Sequence, residues 1–238
     1  MSAEMQHFTG QEATGQKATV KKQKPDWAGE NLLSRVVNRL IETKPIYAIM
    51  KQQARQVLIK TAEKNGIPWR ENYERLKASG IQSTLEEVTN PTIQYPDYYQ
   101  VPFHAYDDGN LCWDAAFEAE SATYSMALRI WKEEALTAVE AQARLRSSFH
   151  QVLAHQHVSA IDILDMGCSV GISTLTLHHY YQSQQNSPVY TTGLDLSPYM
   201  LAIAQQRDLA HNIAAWIHGR AEATEFANES FDLVTLQF

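Results

Sequence analysis

Ile161-Asp-Ile-Leu-Asp165-Met-Gly167-Cys-Ser-Val-Gly171, followed by Gly193-Leu-Asp195-Leu-Ser-Pro198, is the stretch on which the fold turns. An apolar run closed by an acid, two glycines four apart, and a second acid closing the next apolar run describe two strands joined through a turn and a helix. Working outward, Ile161 to Met166 reads as a buried strand, Ile172 to Tyr181 as a helix and Val189 to Leu194 as a strand. Pro198 to Ala210 reads as a helix, and Ala214 to His218 and Phe231 to Gln237 as two further strands. Strands alternating with helices pair in parallel through right-handed crossovers. The expected fold class is α/β, a Rossmann-like doubly wound, mostly parallel sheet.

The segments before the sheet differ in kind. Residues 1–25 are polar and Lys-rich, with few large apolar side chains, and are expected to be a disordered tail. Leu32, Leu33, Val36, Val37, Leu40 and Ile41 form an amphipathic helical stripe ending near Pro45. A second stripe runs from Ile46 to Thr61 and stops at Asn65-Gly66 before Pro68, and a third helix is expected from Arg70 to Ala78. Asn90 to Asn110 holds three prolines together with Tyr95, Tyr98, Tyr99, Phe103 and Tyr106. It cannot be a regular element and is either a lid over a ligand or an aromatic strap on the helical part. Leu111 to about His157, without glycine or proline, reads as one or two long helices. The expected organisation is a tail over 1–25, a helical region over 26–157 with a candidate lid over 90–110, and a sheet domain over 158–238.

Composition narrows the function. The net charge of −7 is unevenly placed, with ten Lys/Arg against five Asp/Glu in residues 1–60 and an acidic remainder. An acidic body lacks the clustered positive charge of a nucleic-acid groove, so no nucleic-acid partner is expected. No stretch approaches the ~20 apolar residues of a membrane span, and the first residues lack a signal-like apolar core, so a soluble cytoplasmic protein is expected. Cys112 and Cys168 make no disulfide framework. The adjacent His178 and His179 lack the four-residue spacing that aims two imidazoles at one ion, and no metal is expected.

In an open parallel sheet the ligand lies at the carboxyl ends of the strands, which places it at the turn Gly167 to Gly171. Gly167 permits a sharp turn and a close approach, and Gly171 opens a helix whose N–H groups favour an anionic group. Asp165 adds a negative charge that would repel the pyrophosphate of a dinucleotide but suits the cationic ammonium and sulfonium of S-adenosylmethionine. Asp195 is placed for ribose hydroxyls, a task common to both ligand classes.

Residues 161–238 resemble the opening of a class I S-adenosylmethionine-dependent methyltransferase of the kind with small-molecule substrates. The resemblance is carried by Asp165 to Gly171, Gly193-Leu-Asp195, Gly219-Arg-Ala-Glu222 and Ser230-Phe-Asp-Leu-Val234 in that order. It implies that Asp165, Gly167 and Gly171 serve the methionine end, that Asp195 serves the ribose, that Ala221 and Glu222 border the adenine, and that Cys168, Ser169 and Leu196 also belong to the cofactor site. Ser169 stands where many members have glycine, and Arg220 where an Asp or Asn is common. The fourth strand lacks the Asn/Asp-Pro-Pro-aromatic turn of relatives that methylate planar nitrogens, which disfavours a nucleic-acid base or glutamine acceptor. Trp27 to Glu30, Pro45 to Lys51, Ala54 to Leu58 and Tyr95 to Tyr106 also resemble the N-terminal region of a group of cyanobacterial and chloroplast methyltransferases.

Methyl transfer from a sulfonium requires alignment more than a dedicated catalytic side chain. His104, Tyr98 and Tyr106 are the candidates for the acceptor side, as base or aromatic wall. Against the family pattern the chain ends in the fourth strand, so a C-terminally truncated chain of reduced activity is an expectation of this reading. A dinucleotide-dependent oxidoreductase and a non-catalytic interaction module are the alternatives; the acceptor and the oligomeric state stay open.

Overall fold

A computed structural model describes residues 44–103 and 106–237. The chain divides into a unit Met1–Ile49 and a compact unit Met50–Phe238. The expected tail and the stripe from Leu32 to Ile41 lie outside the described residues, as does His104. Of the first unit only the opening turn of α1 (Lys44–Lys64) is described.

Among the described residues, four helices and a short fifth precede the sheet: α1, α2 (Trp69–Lys77), α3 (Thr84–Val88), α4 (Trp113–Ile130) and α5 (Ala138–His155). The expected long helical stretch is thus two helices. The break between them is followed by a capping box, in which the Thr137 hydroxyl accepts from the Glu140 N–H at 3.2 Å and Glu140 accepts from the Thr137 N–H at 2.8 Å. This reciprocal pair satisfies two N–H groups that a helix start leaves open. Helix α3 has too short an apolar pattern to be read from sequence. The segment between α3 and α4 is irregular as expected, with one 3₁₀ turn at Asp97–Tyr99 and an isolated bridge between Phe103 and Tyr106.

The sheet consists of β1 (Asp162–Met166), β2 (Tyr190–Asp195), β3 (Ala215–His218) and β4 (Leu233–Leu236), with α6 (Ile172–Gln184) after β1 and α7 (Pro198–Arg207) after β2. All pairings are parallel and the order is β3-β2-β1-β4. The order reverses between β1 and β4, so the crevice for a ligand opens at their carboxyl ends. Asp232 closes the opposite end of that pair, where its carboxylate accepts from the N–H groups of Ile161 (2.9 Å) and Asp162 (3.0 Å).

One apolar core joins Leu153 of α5 and Leu177 and Tyr181 of α6 to Ile163 and Val189 at the sheet. Another joins Leu76, Ala116 and Phe117 of the leading helices to Val170, Met200 and Ile203. The helical region from α2 to α5 therefore shares core with the sheet, and a third cluster of Ile59, Ala62, Ile67, Trp69 and Ala138 lies among the helices themselves. Among the described residues no helix is long and apolar enough to cross a membrane.

Candidate functional site

The start of the turn after β1 is tied to β2 through backbone: the N–H groups of Gly167 and Cys168 both donate to Leu194 O, at 2.7 and 3.1 Å. Gly167 and Gly171 have φ of 70° and 78°, and Ser169 has φ of 49°. Ser169 thus occupies the left-handed region where glycine costs nothing and an L side chain costs about 1–3 kcal/mol. What holds it there is Asp195, whose Oδ2 accepts from Ser169 N–H at 2.8 Å while Oδ1 accepts from Ser197 N–H at 2.8 Å. One buried carboxylate at the end of β2 fixes both the turn after β1 and the start of α7.

Asp165 occupies a different place from that of a ligand-facing acid. It is fully buried, with Oδ2 accepting from Ser173 Oγ (2.9 Å) and Thr174 Oγ1 (2.8 Å) and Oδ1 accepting from Thr235 Oγ1 (2.8 Å). Burial pushes both Asp165 and Asp195 above the ordinary carboxylate range, and their hydrogen bonds pull in the opposite direction. Asp165 presents its charge through Ser173, which lines the cavity in its stead.

That cavity has a volume of about 450 Å³ and lies at the carboxyl ends of the strands. Its floor is Gly167, Cys168, Ser169, Val170, Ile172 and Ser173 from the turn and α6, with Leu194, Asp195 and Leu196 from β2. Gly219, Ala221 and Glu222 follow β3, Leu236 and Gln237 end β4, and Tyr98, Tyr99, Asn110, Thr123 and Arg146 form the remaining wall. Of the residues expected at a cofactor, Gly167, Cys168, Ser169, Asp195, Leu196, Ala221 and Glu222 line this space; Asp165 and Gly171 stand behind it. Gly171 is required for packing instead, since a Cβ there would lie 2.7 Å from Trp216 Cη2.

The Pro/Tyr-rich segment covers one side. Tyr98 donates its hydroxyl to Glu222 Oε1 at 2.5 Å, and Tyr95 stacks on Tyr99 with ring centroids 6.3 Å apart. Tyr106 is turned away and donates to Glu118, which also receives Arg55 of α1. The segment is anchored by Ser197 Oγ donating to Asn110 O (2.7 Å) and by His218. The His218 Nδ1 accepts from Asn90 N–H at 3.0 Å, so its proton sits on Nε2, 3.1 Å from Leu196 O and 3.2 Å from the Tyr95 hydroxyl.

Burial holds the His218 imidazole below the usual histidine range, because protonation would put a charge in a dry site and a proton where Asn90 donates. A folded-state pKa below the unfolded one means that the unfolded chain binds more protons, so stability falls as pH drops through the histidine range. His218→Gln should flatten this acid-side fall in urea unfolding measured from about pH 7 to pH 5, and should speed proteolytic cutting within residues 90–100. An unchanged pH slope would show that His218 does not carry it.

Sequence reading missed Arg146, Asn110 and Gln237. Arg146 is 6% exposed on α5. With the Gln142 amide turned to satisfy its neighbours, its oxygen accepts from Arg146 Nε (2.9 Å) and Nη2 (3.2 Å), while Arg146 Nη1 donates to Gln237 Oε1 (3.3 Å). The available signal was spacing, because Ala138, Gln142, Arg146 and Leu153 share the buried stripe of α5.

A parallel β3-β2-β1-β4 sheet with a glycine turn and a strand-end acid at its reversal point is a Rossmann-like α/β fold. Residues 163–238 match a family model described as a methyltransferase domain. The matched stretch contains all four strands except the first residue of β1, together with α6 and α7. Comparison with curated proteins and with solved structures finds no match.

Proposed function

We propose that the chain binds S-adenosylmethionine in the switch-point cavity and transfers its methyl group to a small-molecule acceptor. The observation that carries the reading is the cavity itself, walled by the turn that Asp195 holds, within a segment that matches a methyltransferase domain. Its volume of about 450 Å³ lies in the range of small-ligand and cofactor sites. Gln237, which lines the cavity, holds a buried Nε2 with no hydrogen-bond partner among the described residues.

When bound, the cofactor supplies an electrophilic methyl group. Asp195 would take the ribose hydroxyls on lone pairs that Ser169 and Ser197 leave open. Ala221 and Glu222 would border the adenine, with Tyr98 fixing Glu222. Gly167 to Ser169 bring backbone, without bulk, to the sulfonium end, and Asp165 contributes negative potential through Ser173. Tyr98 and Tyr99 exclude water and leave the acceptor to be positioned in front of the methyl group. Tyr98, His104 and Tyr106 are not equivalent candidates, since Tyr98 lines the cavity, Tyr106 is turned away and His104 lies outside the described residues.

Calorimetry with S-adenosylhomocysteine tests the reading. One-to-one binding is expected, with a stabilisation of about 2.7 kcal/mol at a ligand concentration of 100 times the dissociation constant. Binding of NADH with no response to S-adenosylhomocysteine would replace methyl transfer by the dinucleotide reading.

A further inference from the structure

We infer that the 3₁₀ turn Asp97–Tyr99 is a gate on the switch-point cavity, latched by the bond from the Tyr98 hydroxyl to Glu222, and that release of this latch sets how fast ligand enters and leaves. The inference rests on the cofactor reading above and adds a control of access to it. The chain is held firmly on both sides of the turn. Before it, Asn90 N–H donates to His218 Nδ1 at 3.0 Å, and the Tyr95 hydroxyl lies 3.2 Å from His218 Nε2. After it, Asn110 O accepts from Ser197 Oγ at 2.7 Å, and a Cβ on Gly109 would lie 2.8 Å from Val101 O, so the two backbones touch. Between these posts the turn is closed by two backbone bonds, from Tyr99 N–H to Pro96 O at 2.9 Å and from Gln100 N–H to Asp97 O at 3.3 Å. Local opening is therefore confined to a few residues at the cavity.

Tyr98, Tyr99 and Glu222 all line the cavity, so the Tyr98–Glu222 bond bridges two of its walls, the aromatic segment and the stretch after β3. Tyr98 is 62% exposed and Glu222 is exposed as well, and a bond between solvent-facing groups competes with water and breaks readily. Glu222 Oε1 also accepts from Arg220 Nη2 at 3.3 Å. The carboxylate thus keeps a partner when Tyr98 leaves. The gate has two satisfied states: closed, with Tyr98 and Arg220 both on Glu222, and open, with the phenol in water and Arg220 alone on the carboxylate. A mere strap would turn its rings inward, as Tyr106 does toward Glu118, whereas Tyr98 reaches across the cavity from an exposed position.

Tyr98→Phe keeps the ring and removes the latch. Ligand passes only through the open state, so both rate constants scale with the population of that state. With the full chain held on a sensor surface, the association and dissociation rate constants for S-adenosylhomocysteine should each rise about threefold to tenfold, and their ratio should change by less than about twofold. In the ligand-free chain, amide hydrogen exchange should quicken at Tyr99 and Gln100 and stay unchanged at Asn90. A rise in the dissociation rate alone would make Tyr98 a ligand contact and overturn the gate. Unchanged rates would overturn it too and leave a strap, and equal rises without faster exchange at Tyr99 and Gln100 would place the opening elsewhere and overturn it likewise. In these three cases the wild-type chain still binds, and the cofactor reading stands. A wild-type chain that binds no S-adenosylhomocysteine would overturn both.

Discussion

Gly193→Val should destabilise the protein by about 3 kcal/mol and lower its melting temperature by about 6–12 °C. A Cβ at Gly193 would lie 2.6 Å from both Cε3 and Cζ3 of Trp216 and 3.0 Å from Cys168 Sγ. The indole has no simple retreat, since its far edge already rests where a Cβ on Gly171 would be, 2.7 Å from Cη2, beside Ala204. Two glycines on different elements, β2 and the turn before α6, thus leave room for one ring. Valine would push either that ring or Cys168, and Cys168 belongs to the turn that lines the cavity. Urea unfolding reads the cost directly, and a loss below about 0.5 kcal/mol would show that the indole repacks freely. S-adenosylhomocysteine affinity should fall in parallel, because the turn moves with Cys168.

Asp195→Asn and Asp165→Asn should behave oppositely although both remove one buried carboxylate. At Asp195 the partners are two backbone N–H groups, of Ser169 and Ser197, which can only donate. An amide offers them one acceptor, and its NH2 must face the other donor. The loss should be about 1–3 kcal/mol in stability, and S-adenosylhomocysteine affinity should drop by about 10- to 100-fold as Ser169 leaves its strained conformation. At Asp165 the partners are three hydroxyls, which donate or accept by rotation, so Thr235 can take a hydrogen bond from the new amide.

The two groups share one sign of pH dependence, because burial raises both pKa values. Burial raises the Asp165 pKa, so the folded state holds its proton when the unfolded chain has lost it. Stability from this group is fullest at acid pH and falls as pH rises from the ordinary carboxylate range through the raised value. Asp165→Asn should therefore leave neutral-pH stability unchanged or higher and remove that part of the slope. A large loss of neutral-pH stability in Asp165→Asn would mean that the charge itself holds β1, β4 and α6 together.

The strands and their order of appearance were legible because each apolar run is bounded by its own punctuation. Asp165 and Asp195 close β1 and β2, and Ser197-Pro198 opens α7 with Ser197 accepting from Met200 N–H. The expected bounds agree with the observed ones to within a few residues. The doubly wound arrangement followed from alternation alone. What sequence could not convey was direction. Asp165 and Asp195 look alike as strand-end acids, yet one is enclosed by hydroxyls and the other lines the cavity. Tyr98 and Tyr106 lie eight positions apart in one aromatic segment and point to Glu222 and Glu118. Arg146 was hidden because an arginine on an Ala- and Glu-rich helix reads as solvated, and its contacts with Gln237, after β4, and Gln142, on α5, reveal the buried side.

Trp216 also constrains how this domain can change over generations. A larger residue at Gly171 or Gly193 is blocked while the indole is present, and a smaller residue at position 216 opens a void while both glycines remain. The cheaper route begins at the tryptophan, since a cavity can partly collapse whereas a clash against a β-strand cannot. Lineages that keep the ring should keep both glycines, and those that have lost it should show the first alanines at these two positions.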